Sequence, residues 1–365
     1  MDKPRLLFVT PLPPPVHGSA MVSRYIKDSE LVRSSFQADF VNLSTSRKMD
    51  EIGKNSPMKI FRFVRSYWQV FFRLLVHRYD LCYLAITCHG VGFLKDAPFV
   101  LLCKWLGKKV VIHQHNKGME RFVDKKPYKW LLKRVYGGTH VILLSWKLFP
   151  DVERIVRKEQ VCICPNGIPE MSVMANEVKR YPVPRLLFLS NLVESKGVYI
   201  LLDACKTLQE KGYVFTCHFV GGESKEISRE IMEEEIARRG LEETVWYHGP
   251  QYGADKERFF QEADIFVQPT FEDCFPLTII EAMQHGLPVV ATSEGAIPDM
   301  VEHGKTGYLC ESRNVQHLTE CLEKILKDSE LRKQMGKNGC CRYKEKFTLE
   351  AFERNFQCIL SDMLN

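Results

Sequence analysis

The chain has 365 residues, 45% of them hydrophobic and 26% charged, which gives room for two ordinary domains and excludes a disordered protein. No run of eighteen apolar residues occurs, so no membrane-spanning helix is expected, and the 13 cysteines form no C-x-x-C pair. The net charge of +6 divides unevenly: residues 1–170 carry 28 Lys and Arg against 14 Asp and Glu, while the remainder carries 23 against 31.

A first half with a net charge of +14 suggests an anionic surface or acceptor as partner. No nucleic-acid motif accompanies that charge, so nucleic acid is not expected. The cysteines read as reduced core filler of a cytosolic protein, and a metal site has little support. The amino terminus enters a strand directly, with no secretory leader.

Arg5–Thr10 reads as a buried strand, and the proline run after it ends in Gly18-Ser19 before a helix. Backbone N–H groups at that helix start could face an anion, or the segment could simply join strand to helix. Phe36–Leu43 reads as a second strand, followed by a disordered-looking connector over 44–56. Asp80–Thr87 and Lys109–Gln114 read as further strands with a helix over Phe93–Trp105 between them. Strands alternating with helices imply an α/β fold, parallel sheets and right-handed crossovers. One strand ends in His113-Gln114-His115, and a strand-end histidine can bond a sugar hydroxyl or donate to developing charge. Val141–Leu144 and Gln160–Cys164 complete the first domain, with Pro165-Asn166-Gly167 as turn chemistry.

Composition shifts over residues 170–184, where Tyr181–Pro184 is a stiff link, so the boundary is placed near 180. Strands are expected at Arg185–Ser190, Val214–Gly222, Val245–Gly249, Asp264–Gln268 and Val289–Thr292, and the pattern is helical from Val315 onward. The Glu233–Glu235 run reads as a solvated helix face, and no G-x-G-x-x-G fingerprint of a dehydrogenase is present. The chain is organised around Pro269–Met283, a loop between a strand and a helix at the carboxyl edge of the sheet. Pro276 suits the first turn of that helix, whose N–H groups favour an anion. Asp273 stands before the helix and Glu281 about two turns into it, an arrangement that suits a nucleotide sugar, with phosphate in the middle and hydroxyls at both ends.

Asp273 and Glu281 stand eight apart, and with Phe275-Pro276-Leu277 and Glu281-Ala282-Met283 the stretch resembles the E-x7-E signature of retaining glycosyltransferase family 4 ("group 1"). Asp273 occupies the place of the first glutamate. The resemblance implies a GT-B fold, with two Rossmann-like parallel-sheet domains facing each other across a cleft: residues 1–180 on the acceptor side, residues 181–346 binding the donor, and a helix over 347–365 returning to the first domain. It implies a retaining hexosyltransferase that needs neither metal nor cofactor. The donor would be a nucleotide-diphosphate sugar, by default a UDP-sugar, and the acceptor a glycan, free or polyprenyl-diphosphate-linked, in surface polysaccharide synthesis. Asp273, His115 and Glu281 take the family's catalytic positions. Donor contacts fall on Lys196, Asn191, Phe275, Pro276, Leu277, Thr278, Glu281, Gly18 and Gly295. Lys196 matches the family's lysine, whereas Asn191 stands where an arginine is usual. A UDP-sugar 2-epimerase-like enzyme and a non-catalytic nucleotide-sugar-binding scaffold share the fold and stay open as alternatives.

Between Glu51 and Asp80 there is no acid, and the stretch Met58–Arg78 mixes basic and aromatic residues. As a helix it sets Lys59, Arg62, Ser66, Gln69, Arg73 and His77 on one face. Two readings stay open. In one, Lys59, Arg62, Arg65 and Arg73 hold an anionic membrane surface, which would make the protein peripheral on the inner face of the cell membrane. In the other, a crossover helix buries its apolar face and leaves its arginines in water.

Overall fold

The computed structural model describes residues 3–47, 56–171 and 181–364. It comprises two compact units, one of Met1–Gly167 with Leu349–Asn365 and one of Ile168–Thr348. The expected boundary near 180 falls at residues 172–180, outside the described residues, and most of the 44–56 connector, residues 48–55, also lies outside them. The first unit comes together from two separate stretches of chain, parting from the second after Gly167 and rejoining at Leu349.

In the first unit the chain runs β1 (Arg5–Thr10), α1 (Gly18–Asp28), α2 (Glu30–Ser35), β2 (Gln37–Asn42), α3 (Pro57–Val76), β3 (Leu81–Ala85), α4 (Gly90–Trp105), β4 (Val110–His113), α5 (Glu120–Val123), α6 (Lys126–Tyr136), β5 (His140–Leu143) and β6 (Val161–Ile163). The strands form one parallel sheet in the order β2-β1-β3-β4-β5-β6. Leu6–Val9 and Leu81–Leu84 are fully buried, as strands covered on both faces must be, and this is why they read as continuous apolar runs. The order reverses between β1 and β3, and the carboxyl ends of strands at such a reversal open the crevice where α/β sheets hold ligands.

The second unit runs β7 (Arg185–Leu189), α7 (Val198–Glu210), β8 (Thr216–Val220), α8 (Arg229–Arg238), β9 (Val245–Tyr247), α9 (Gly253–Glu262), β10 (Ile265–Gln268), α10 (Leu277–Gln284), β11 (Val289–Thr292), α11 (Ile297–Met300), β12 (Gly307–Cys310), α12 (Val315–Lys327) and α13 (Ser329–Lys346). Its parallel sheet has the order β12-β11-β10-β7-β8-β9, reversing between β7 and β10. The edge strand β12 escapes sequence patterning because it is short, half-exposed at its centre and opens on a glycine. That glycine is required: at φ 159° an added Cβ would stand 1.9 Å from the Val289 carbonyl oxygen. The last helix, α14 (Leu349–Leu364), packs against α2 in the first unit and buries Phe352, Phe356 and Leu360.

Helix α3 is turned differently from both sequence readings. Its polar face meets the rim of edge strand β2: Arg62 Nη1 donates to the Thr45 carbonyl at 2.7 Å and Ser66 Oγ to the Asn42 carbonyl at 3.0 Å. Arg73 Nη1 lies 3.2 Å from Asp39 Oδ1. These donors satisfy carbonyls that an edge would otherwise leave to solvent. Val70 and Leu74 are buried, with Phe63, Tyr67 and Phe71 packed beside them. The outward face is therefore apolar, carrying Phe61, Val64, Trp68, Phe72 and Leu75 with Arg65, and Trp68 is 50% exposed. Among the described residues no helix is long and apolar enough to cross a membrane.

Candidate active site

The loops that follow β7 and β10 meet where the second sheet reverses its order. Phe271 N–H donates to the Ser195 carbonyl at 2.8 Å, and the Thr270 hydroxyl donates to the same oxygen at 3.0 Å. Gly197, at φ 84°, lies so close to the second loop that a Cβ would stand 2.1 Å from the Pro269 carbonyl oxygen. This closure brings Lys196 Nζ to 2.7 Å from Asp273 Oδ2 and 2.9 Å from the Glu272 carbonyl. Asp273 Oδ1 accepts from Cys274 N–H at 2.8 Å, so the carboxylate is fixed on both oxygens. Gly295 supports the loop from β11, where an added Cβ would stand 2.3 Å from the Asp273 carbonyl oxygen.

Pro276 caps α10 with extended backbone (ψ 113°) and is not in its first turn. The helix begins at Leu277, so Glu281 lies just over one turn in, nearer its start than the sequence reading placed it. Leu277 and Thr278 present the first N–H groups, which lack partners within the helix and carry its positive dipole end. Glu281 Oε1 pairs with Lys256 Nζ of α9 at 2.6 Å, on helices whose chain positions are 25 apart. Lys196, Asp273 and Gly295 thus form one cluster, and Glu281 forms a second ion pair with Lys256. Asn191 does different work: its side-chain oxygen accepts from Gly222 N–H at 3.2 Å and braces the adjoining loop. Phe275 is buried edge-on against Phe347, with ring centroids 6.1 Å apart, so only its backbone is available to a ligand.

In the first unit Gly18 opens α1, whose N-cap His17 accepts from Ala20 N–H at 3.4 Å through Nδ1. His113 Nδ1 lies 2.8 Å from the Tyr83 hydroxyl, and the His113 and His115 rings stand 4.0 Å apart. Neither ring nitrogen of His115 has a hydrogen-bond partner among the described residues. Burial, with a smaller contribution from His17, lowers the His115 pKa to about 3, and burial also takes His113 well below its usual value. Both rings are therefore neutral near pH 7, each able to donate one hydrogen bond and accept another. Phe356 of α14 packs on Tyr83 and His113, with centroids 5.3 Å and 6.2 Å away. Lys59, Arg62, Arg65 and Arg73 all lie along α3.

Sequence reasoning missed Lys256, Phe356 and Glu294, whose Oε1 accepts from Asp273 N–H at 3.4 Å. Lys256 and Phe356 sit in no motif and arrive by packing between elements distant in the chain, whereas Glu294 lies in the 293–298 loop that resembles the family's donor-facing loop, where only its neighbour Gly295 was singled out. Among the described residues no group of three or more His, Cys, Asp or Glu is placed to hold a metal ion.

Two Rossmann-like parallel-sheet units, one carrying a lysine–carboxylate pair at its switch point, define a class of protein on structural grounds alone. Sequence comparison is more specific: residues 174–340 match the family described as glycosyl transferases group 1. The chain is 30% identical over 147 residues to the amylovoran biosynthesis glycosyltransferase AmsK of Erwinia amylovora, covering 39% of this chain and 35% of that protein. It is 25% identical over 177 residues to the capsular polysaccharide biosynthesis glycosyltransferase CapM of Staphylococcus aureus, covering 48% and 46%. The chain thus spans less than half the length of these relatives. Among solved structures, a sucrose-phosphate synthase from Thermosynechococcus elongatus superposes with a TM-score of 0.78 at 17% identity, over 99% of both chains. Anabaena Alr3699/HepE, solved with UDP, superposes with a TM-score of 0.74 at 18% identity, over 98% of this chain and 100% of that one. These likenesses are of fold: α/β, GT-B-like, with two parallel-sheet units.

Proposed function

We propose that the protein is a retaining glycosyltransferase that moves a sugar from a nucleoside-diphosphate donor, by default a UDP-sugar, to a glycan acceptor in surface polysaccharide synthesis. The Lys196–Asp273 pair beside the start of α10 carries this reading. Backbone N–H groups of Leu277 and Thr278, with Lys196, stabilise charge developing on the leaving diphosphate without a metal ion. Asp273 accepts a hydrogen bond from the donor sugar, and Glu281 accepts from the two ribose hydroxyls. His115, held neutral, bonds a sugar hydroxyl. The acceptor oxygen attacks the anomeric carbon from the face that the diphosphate leaves, and its proton passes to a leaving phosphate oxygen. No side chain forms a covalent intermediate.

The acceptor side is the basic first unit. The outward face of α3, with Phe61, Trp68 and Phe72 around Arg65, has the composition of an interfacial helix, and a lipid-linked acceptor follows from it. Docking there would make the protein peripheral on the inner face of the cell membrane. Apolar anchoring replaces the basic face that the sequence alone suggested.

Incubation with UDP-, GDP- and dTDP-sugars tests the assignment. Glu281→Gln should raise the KM for donor about tenfold, and Asp273→Asn should lower kcat by about a hundredfold. Wild-type rates in both variants would sink the assignment. Sugar interconversion without acceptor would instead identify an epimerase.

A further inference from the structure

Arg313 does not suit its own backbone. At φ 59° it is the one non-glycine residue with positive φ among the described residues. Glycine would adopt that conformation freely, whereas an arginine there is strained, and such strain persists where surrounding interactions or function hold it. The residue lies three positions beyond β12, on the same sheet edge as the loops after β7 and β10. Strand β11 separates β12 from β10, so the Arg313 backbone starts about two strand spacings, roughly 10 Å, from the Asp273 loop. The side chain closes that gap, and its guanidinium carbon stands 4.1 Å from the centre of the Phe271 ring.

Phe271 is the residue whose N–H is bonded to Ser195, next to Lys196. An aromatic face orients a guanidinium and leaves its edge N–H groups free. Arg313 is exposed and forms no ion pair among the described residues, whereas Lys196 is already paired with Asp273. Asn191 brings no charge and is committed to Gly222. Lys256 is likewise paired with Glu281, so among the described residues the site offers only partly neutralised cations for a ligand part that carries two or more negative charges.

We propose that Arg313 is the second cation for the diphosphate, delivered from the β12 loop across Phe271, and that it is a determinant of donor affinity. The inference rests on the nucleoside-diphosphate reading above. Guanidinium–phosphate bonding is bidentate, which fits a planar group held on a ring face better than it fits a lysine.

Calorimetric titration of wild type, Arg313→Gly and Arg313→Lys with UDP, and separately with uridine, tests it. Glycine relieves the backbone strain, so Arg313→Gly should melt no lower than wild type, and any lost affinity then reflects the missing cation. UDP affinity should fall about tenfold in Arg313→Gly and recover in part in Arg313→Lys, with uridine affinity unchanged. An Arg313→Gly variant that binds UDP within twofold of wild type, or loses uridine affinity equally, overturns the proposal alone. Wild type that binds none of UDP, GDP or dTDP overturns the donor reading and this proposal together.

Discussion

Gly295→Ala should slow turnover far more than it destabilises the fold. Gly295 has φ 52°, and an added Cβ would stand 2.3 Å from the Asp273 carbonyl oxygen and 2.8 Å from that of Cys274. An ordinary contact is longer by about 1 Å, so the Asp273 loop must retreat by roughly that distance. The left-handed backbone adds about 1–2 kcal/mol for alanine. In a unit this size that lowers the melting temperature by only a few degrees. A 1 Å displacement of the group proposed to position the sugar costs up to about 100-fold in rate. Gly336→Ala is the control: its Cβ would stand 1.8 Å from the Gly286 carbonyl oxygen, a harder collision, at the carboxyl end of α10 and more than a turn beyond Glu281. The control should lose stability and keep the kcat of its folded fraction. Initial rates at saturating donor, read beside thermal melts, separate the two variants. Turnover in Gly295→Ala within twofold of wild type would refute the reasoning that Gly295 sets the position of Asp273.

Two further outcomes follow from features away from that loop. His115 is neutral in the fold, with its pKa lowered to about 3, so as pH drops below about 6.5 the unfolded chain takes up a proton that the folded chain refuses. Stability is therefore complete above about pH 6.5 and lost on acidification by about 1.4 kcal/mol per pH unit for this one histidine. Urea unfolding between pH 7 and 5.5, where the unfolded histidine is still partly neutral, should show a loss of stability that His115→Gln reduces by about 1.3 kcal/mol in total; equal losses in the two proteins would count against it. On α3, Trp68→Ser combined with Phe72→Ser should abolish sedimentation with anionic vesicles and spare UDP binding, since each ring removes about 1.5–3 kcal/mol of apolar anchoring. Wild-type protein that stays in the supernatant at low salt would end the membrane proposal.

What could be read from the chain depended on whether the signal was local. The buried parallel strands announced themselves as apolar runs, and the Asp273–Glu281 spacing with its Phe-Pro-Leu insert was visible because loop and helix are continuous in sequence. Glu281 was legible but Lys256 was not, because α9 contributes the lysine by packing. The aim of α3 was misjudged for a similar reason. A helical wheel shows which residues share a face, but the direction of that face was decided by a carboxylate and a carbonyl on β2, at Asp39 and Asn42, and by the Thr45 carbonyl just beyond it. Pro276 was misplaced by one residue, since a proline fits both the cap and the first turn and only its ψ distinguishes them.

The first unit is made of two separated stretches, and the second is a single uninterrupted insert between them. During synthesis, Ile168–Thr348 has its whole sheet once its own residues have emerged, whereas the first unit still lacks α14. Until α14 has emerged from the ribosome, Tyr83 and His113 lack Phe356, and α2 has no helix to pack against. Domains generally fold as units as they are made. Here the unit begun first is completed after the insert, and a chain stalled or clipped near residue 348 would carry a complete second sheet and an open histidine cluster.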